Sequence, residues 1–341
     1  MVSRRSLRLE ETAKANWASA KQWPVGIDFI AVQVGDETYL WGGRQNREPL
    51  PRDIVYVYNR TADSWRTIKA TGDIPLHSVD AAIAVCDGVF YIHGGVDQSG
   101  KKTNTISSFS PTTGEFKVLS VVGDRPSPRC AFEGWTFEGK LIFFAGRADK
   151  VESGTAGFLV PPNHDGYRDD LLSQYDPETE SWSAIVSFGP RPCPRMRHAV
   201  ATRGHLALVH GGNSSSTHCG DILFGDISML DMRSMTWTLL ASDGPKLLGH
   251  SLSPIAPFRF LLVGGCDGTF LKKVWSFDSQ DSKWKEEEPL SSEMIRGGDG
   301  LAFHRAVVAN TEKGLSVMCF GGDNSNGAIT HPNKMIIFDI E

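Results

Sequence analysis

Six times in 341 residues a short apolar run ends on two small residues: TYLWGG (38–43), FYIHGG (90–95), LIFFAG (141–146), LALVHGG (206–212), FLLVGG (260–265) and VMCFGG (317–322). The closing glycines are Gly43, Gly95, Gly146, Gly212, Gly265 and Gly322, spaced 52, 51, 66, 53 and 57 residues apart. Recurrence at such a period marks a repeat architecture, in which each unit buries its apolar face against the next.

After each pair comes a polar loop and then an alternating apolar strand: IVYVYN (54–59), TISSFS (105–110), LLSQYD (171–176), ISMLDM (227–232), VWSFDS (274–279) and MIIFDI (335–340). Six residues past the Asn, Ser or Asp of the first five stands a large ring: Trp65, Phe116, Trp182, Trp237 and Trp284. A hairpin accounts for the offset, since an Asp- or Asn-led turn reverses the chain and the returning strand carries the ring. Glycine pairs closing the second strand supply backbone freedom that other residues lack. With the stretch before the apolar run (AAIAVCDG, 81–88, or HAVATRGH, 198–205), each unit reads as four short antiparallel strands.

The sixth unit stops at Phe338-Asp339 without its ring. KANWASAKQW (14–23) belongs to no unit. The expectation is that this segment pairs beside MIIFDI and completes the last sheet, with Trp17 as the ring and Trp23 as the alternative, sparing that sheet an unpaired edge. Residues 1–12 are then a mobile charged tail and residues 13–341 a single domain.

Gly doublets, the Asp-turn-Trp spacing and the period together resemble kelch repeats, over residues 17–341. The resemblance implies an all-β, six-bladed kelch β-propeller whose last blade is closed by the N-terminal strand, with function carried by the loops at the blade ends.

Net charge is −5 with a pI near 6.1, which argues against a general nucleic-acid binder. The six cysteines contain no C-x-x-C pair, so no structural zinc is expected, and they read as free thiols in a reducing compartment. The N-terminus lacks a signal-peptide core, and runs such as LIFFAG are too short to cross a bilayer. The chain is therefore expected in cytoplasm or nucleus, with no membrane partner.

The outlying spacing of 66 comes from a long third loop between Gly146 and Tyr175, RADKVESGTAGFLVPPNHDGYRDDLLSQ. It carries Phe158, Leu159, Val160, His164, Tyr167 and Arg168, and is expected to form part of a binding rim. Loops between blades offer Arg129, Arg195, Arg197, His198, His250, Arg296 and Asp299, and the positions after the glycines add Arg44 and Arg147. Several arginines around one opening can hold a carboxylate or an acidic peptide through paired hydrogen bonds. Each one taken singly has an alternative use, bonding loop carbonyls or pairing with the next blade.

No nucleophile–base–orienter set stands out, so no enzyme, cofactor or metal is expected. The alternatives are a kelch-fold enzyme, a metal-dependent specifier-like protein, or a scaffold that binds through its outer rim. Neither the Tyr/His/Cys set of a copper radical oxidase nor the E-x-x-x-D-x-x-x-H spacing of a specifier is present.

Within the family, TYLWGG, TGDIP, GKLIFFAGR, the DGYRDD loop, PCPRMRHAVAT, GHSLSPI and NKMIIFDI resemble the kelch substrate receptors of cullin-RING ubiquitin ligases, which read C-terminal degrons. That resemblance implies a peptide ligand with a free C-terminus, bound by arginines and aromatic rings, and elongin/cullin partners. In the fourth loop, NSSSTHCGD, Asn213 and His218 occupy the arginine positions, and Leu248 and Gly249 replace a serine and an aromatic. Tyr167 is the one site the resemblance transfers directly. Those receptors continue into an adaptor-binding helical segment that is not read here.

Overall fold

The apolar runs ending on glycine pairs are the second strands of six antiparallel four-stranded sheets. The computed structural model describes residues 7–10, 26–45, 47–148, 172–216, 220–291, 300–311, 314–323 and 335–340, and all regular structure among them is β. The fold class is that expected from the repeats.

The chain divides into two compact units, Ala70–Leu248 and Met1–Lys69 with Gly249–Glu341. The first holds blade 2 (Ala82–Cys86, Val89–His93, Ile106–Ser110, Glu115–Val118), blade 3 (Glu133–Phe137, Lys140–Phe144, Leu172–Asp176, Ser181–Ala184) and blade 4 (Ala199–Arg203, Leu206–His210, Ile227–Asp231, Thr236–Ala241). The second holds blade 1 (Ile30–Val34, Glu37–Trp41, Ile54–Asn59, Ser64–Lys69), blade 5 (Ser251–Ala256, Arg259–Val263, Val274–Asp278, Lys283–Glu286) and blade 6 (Arg305–Thr311, Gly314–Phe320, Met335–Ile340).

Blade 6 is completed by an N-terminal strand, as expected, but from a different segment. Leu7–Glu10 pairs antiparallel with Met335–Ile340, inside the stretch read as a mobile tail. Trp17 and Trp23 lie outside the described residues. In the other blades the ring opposes an apolar residue: Tyr58↔Trp65, Phe109↔Phe116, Tyr175↔Trp182, Leu230↔Trp237 and Phe277↔Trp284. The equivalent register position in blade 6 is Leu9↔Phe338. The search for a tryptophan missed this strand, because the short alternating run LRLE meets the period-2 requirement without a ring.

The turn chemistry is as read. Asp176, Asp231 and Asp278 each accept a hydrogen bond at 2.9 Å from the backbone N–H two residues on, and Asn59 accepts one at 2.8 Å from Ala62. Such Asx turns fix where the chain reverses. Three of the rings then stand on the residue just before the preceding blade's small-residue pair. Trp182 lies 4.7 Å from His93, Trp237 5.4 Å from Phe144, and Trp65 6.1 Å from Phe320, all between ring centroids. Aromatic contacts at these separations add to the area they bury.

The second glycines also join consecutive blades. Their N–H groups donate to the carbonyls of Arg129 (from Gly95, 2.9 Å), Arg195 (Gly146, 2.9 Å), Leu247 (Gly212, 2.7 Å), Leu301 (Gly265, 2.7 Å) and Gly26 (Gly322, 3.1 Å). A Cβ on Gly94 would stand 2.6 Å from the Arg129 oxygen, and one on Gly264 2.1 Å from the Leu301 oxygen. Both distances are below contact, which is the physical reason these two positions are glycine.

Candidate functional site

Each blade's first strand is preceded by a short crossing of the chain over the blade end. Residues just after the glycine pairs bridge to it: Val79↔Val96, Cys130↔Arg147 and Met196↔Asn213 in one unit, Ile27↔Arg44 and Ala302↔Asp323 in the other. The next residue is left-handed in every blade: Asp28 (φ 59°), Asp80 (55°), Ala131 (57°), Arg197 (55°), Gly249 (64°) and Phe303 (59°). Five of these are not glycine, and such residues cluster at functional sites.

The left-handed residues are linked through their backbones. Ala131 N–H donates to Asp80 O at 2.9 Å and Arg197 N–H to Ala131 O at 3.0 Å; in the other unit Phe303 N–H donates to Gly249 O at 2.7 Å. Main-chain atoms hold these loop positions to one another within each unit. Sequence reasoning missed the set because its members share no residue type. Their spacing of 52, 51, 66, 52 and 54 residues, shadowing the glycine period, was the available signal.

Of the expected ligand-binding residues, Tyr167, His218 and Arg296 lie outside the described residues, as does Asp299. Arg129 and Arg195 are 2% and 1% exposed, and their guanidiniums bond to carbonyls of the scaffold. Arg129 Nη1 donates to Ala145 O at 2.6 Å and Nε to Ser127 O at 3.1 Å. Arg195 repeats the pattern on Gly211 O (2.9 Å) and Cys193 O (3.0 Å), forks onto Asp226 at 3.0 and 2.9 Å, and lies 4.3 Å over the Phe224 ring. Loop carbonyls need donors when buried, and a guanidinium supplies several in one plane. His250 and His198 are also buried, His198 edge-on to Phe144 at 5.4 Å. Arg44 is held by Asp28, Nε at 2.8 Å and Nη2 at 2.7 Å.

Arg147 and Arg197 remain at the surface of Ala70–Leu248, Arg147 exposed and Arg197 partly so. Arg197 Nη2 stands 3.9 Å from Asp80 Oδ2. Both arginines, with Lys102, lie within electrostatic reach of the buried Cys130 thiol. Burial and then Asp80 push that thiol up to about 12, against the pull of Lys102, Arg147 and Arg197. The thiol stays protonated and unreactive. Lys102, Arg147, Arg197 and Asp80 thus all lie near this one buried point.

Among the described residues no group of three or more His, Cys, Asp or Glu is placed to hold a metal. No helix there is long and apolar enough to cross a membrane.

Residues 29–257 match the family described as the KLHDC2/KLHL20/DRC7 Kelch-repeats domain, and residues 259–291 match the Kelch motif. Among curated proteins the chain is similar to Kelch domain-containing protein 2 of Bos taurus, 27% identical over 92% of this chain and 80% of that protein. It is also similar to human Kelch domain-containing protein 1, 25% identical over 91% of this chain and 79% of that protein. Acyl-CoA-binding domain-containing protein 4 of Arabidopsis thaliana is 24% identical over 86% of this chain but only 42% of its own length.

Proposed function

Because the chain belongs to the kelch-repeat family and has its six-bladed fold, we propose that it is a protein- or peptide-binding module that holds the terminal carboxylate of a short peptide at the loop end of Ala70–Leu248. The observation that carries this is the cluster of Lys102, Arg147 and Arg197 opposed by Asp80 around Cys130. A carboxylate there accepts the forked donors of the exposed Arg147. Arg44, held by Asp28, is a weaker candidate for the same role, and Tyr167 is the residue that the family resemblance adds.

The test is direct binding of a C-terminal peptide library to the whole chain, each peptide also made as its C-terminal amide. Binding lost on amidation and on Arg147→Glu supports the reading. Equal binding of acid and amide refutes it.

The finer reading is a substrate-recognition subunit of a cullin-RING ubiquitin ligase, working in cytoplasm or nucleus. Its support is the sequence resemblance to the degron receptors. Affinity capture that returns elongin and cullin subunits supports it; capture of partners without them removes it. Exposed Val122, Val186 and Phe188 at the flanks of blades 3 and 4 favour a second reading, a scaffold that binds through its outer rim. Partner capture that survives Arg147→Glu but is lost in Phe188→Lys selects the scaffold.

A further inference from the structure

Blades 2 and 3 border a groove of ≈ 320 Å³ at the end opposite the glycine pairs, where the hairpin turns lie. Its aromatic wall is Tyr91 and Tyr175, with ring centroids 6.2 Å apart and planes tilted by 48°. Ser108 and Ser110 line one side and Glu180 the rim. Tyr175 is fully buried, and its hydroxyl has no hydrogen-bond partner among the described residues. A buried hydroxyl without a partner costs stability, so its persistence beside a groove calls for an explanation.

The charge about the two phenols is negative. Asp87 and Glu180 act on Tyr91, and Glu180 and Asp176 on Tyr175. Lys117, itself on the groove, pairs with Glu115 at 3.6 Å and Lys140 pairs with Asp176 at 2.5 Å, so the net charge of the lining is that of Glu180. The polarity is opposite to that of the loop end, so this groove does not suit a peptide carboxylate.

We propose that the groove between Tyr91, Tyr175 and Glu180 docks an arginine side chain of a partner polypeptide. A guanidinium is flat and weakly hydrated, and packs on tyrosine faces. Its donors match the Glu180 carboxylate and the serine hydroxyls, and the Tyr175 oxygen is an unused acceptor at the wall. The volume suits one long side chain and its flanking backbone.

The experiment is calorimetric titration of the whole chain with Ac-Gly-Arg-Gly-amide. Saturable binding is expected, with the citrulline peptide, which keeps the shape and loses the charge, at least tenfold weaker. Glu180→Gln, at an exposed turn, weakens the arginine peptide about fivefold. Tyr175→Phe weakens it about threefold while raising the melting temperature of the free protein. Arg147→Glu, at the loop end, leaves it unchanged, which separates this site from the carboxylate reading. Equal affinity for the citrulline or lysine peptide, absence of saturable binding, or tighter binding of free L-arginine than of the capped peptide overturns the proposal.

Discussion

The two compact units contain the same blade three times each and differ in what surrounds it. In Ala70–Leu248 the segment entering a blade first runs parallel along that blade's own fourth strand: Thr71–Gly72 beside Glu115–Val118, Val122–Gly123 beside Ser181–Ala184, and Phe188 bridged to Thr236. No such parallel fifth strand occurs in the other unit among the described residues. Its distinguishing feature is the seam of blade 6, where Leu7–Glu10 meets the C-terminal strand. Among the described residues, exposed large apolar side chains divide the same way, all but Phe258 lying in Ala70–Leu248. The loop ends diverge too: Arg44 is paired with Asp28 in one, while in the other Arg147 is exposed and Arg197 stands 3.9 Å from Asp80. Similar scaffolds therefore differ in the segments that join and cap them, and in such folds it is the connecting segments that are free to carry function.

The sharpest break of the comparison is at the fifth strands. A Cβ on Gly123 (φ 87°) would lie 2.1 Å from the Trp182 carbonyl oxygen, so Gly123→Ala is expected to destabilise by about 3 kcal/mol in urea unfolding. Gly88→Ala, at a similar φ of 75° with open space around it, costs about 1 kcal/mol. Equal losses would mean that the strand contact is not what requires glycine.

Acid tests both units at once. Burial holds His93 of blade 2 and His304 before blade 6 at about 3, so both stay neutral in the folded chain. Unfolded, each takes up a proton near ~6.5. Stability is therefore full above that value and falls as pH drops from there toward about 3, by about 1.4 kcal/mol per pH unit for each histidine. His93→Gln should halve this slope between pH 6 and pH 5; an unchanged slope would place the burden on other groups.

A smaller effect sharpens the contrast of loop ends. Arg147→Glu is expected to weaken an anionic peptide about tenfold, whereas Arg44→Ala changes affinity little and costs about 1 kcal/mol of stability through the stranded Asp28. Smallest is the seam: Arg60 Nη2 reaches Ser316 Oγ at 2.8 Å and Asp339 Oδ1 at 3.1 Å, and Arg60→Ala is expected to cost about 1 kcal/mol at this half-exposed network.

What was legible in the sequence was whatever packing repeats with a fixed residue type. The glycine pairs are forced by carbonyls at sub-contact distance from a would-be Cβ, and Trp65, Trp182 and Trp237 by the ring or imidazole they stand on. The turn carboxylates follow from their own backbone bonds. Features fixed by backbone alone were illegible. The left-handed positions carry Asp, Ala, Arg, Gly and Phe, and Leu7–Glu10 needed only alternation. Arg129 and Arg195 look in sequence like binding residues because a buried carbonyl and a ligand carboxylate ask for the same donors.

The backbone relay of Asp80, Ala131 and Arg197 has a consequence for how such a protein changes. Since peptide groups make these bonds, exchanging a side chain there leaves the bonds themselves in place, at the modest conformational cost that a left-handed residue already bears. Evolution, or an engineer, can thus vary these positions one at a time while the backbone relay between them persists.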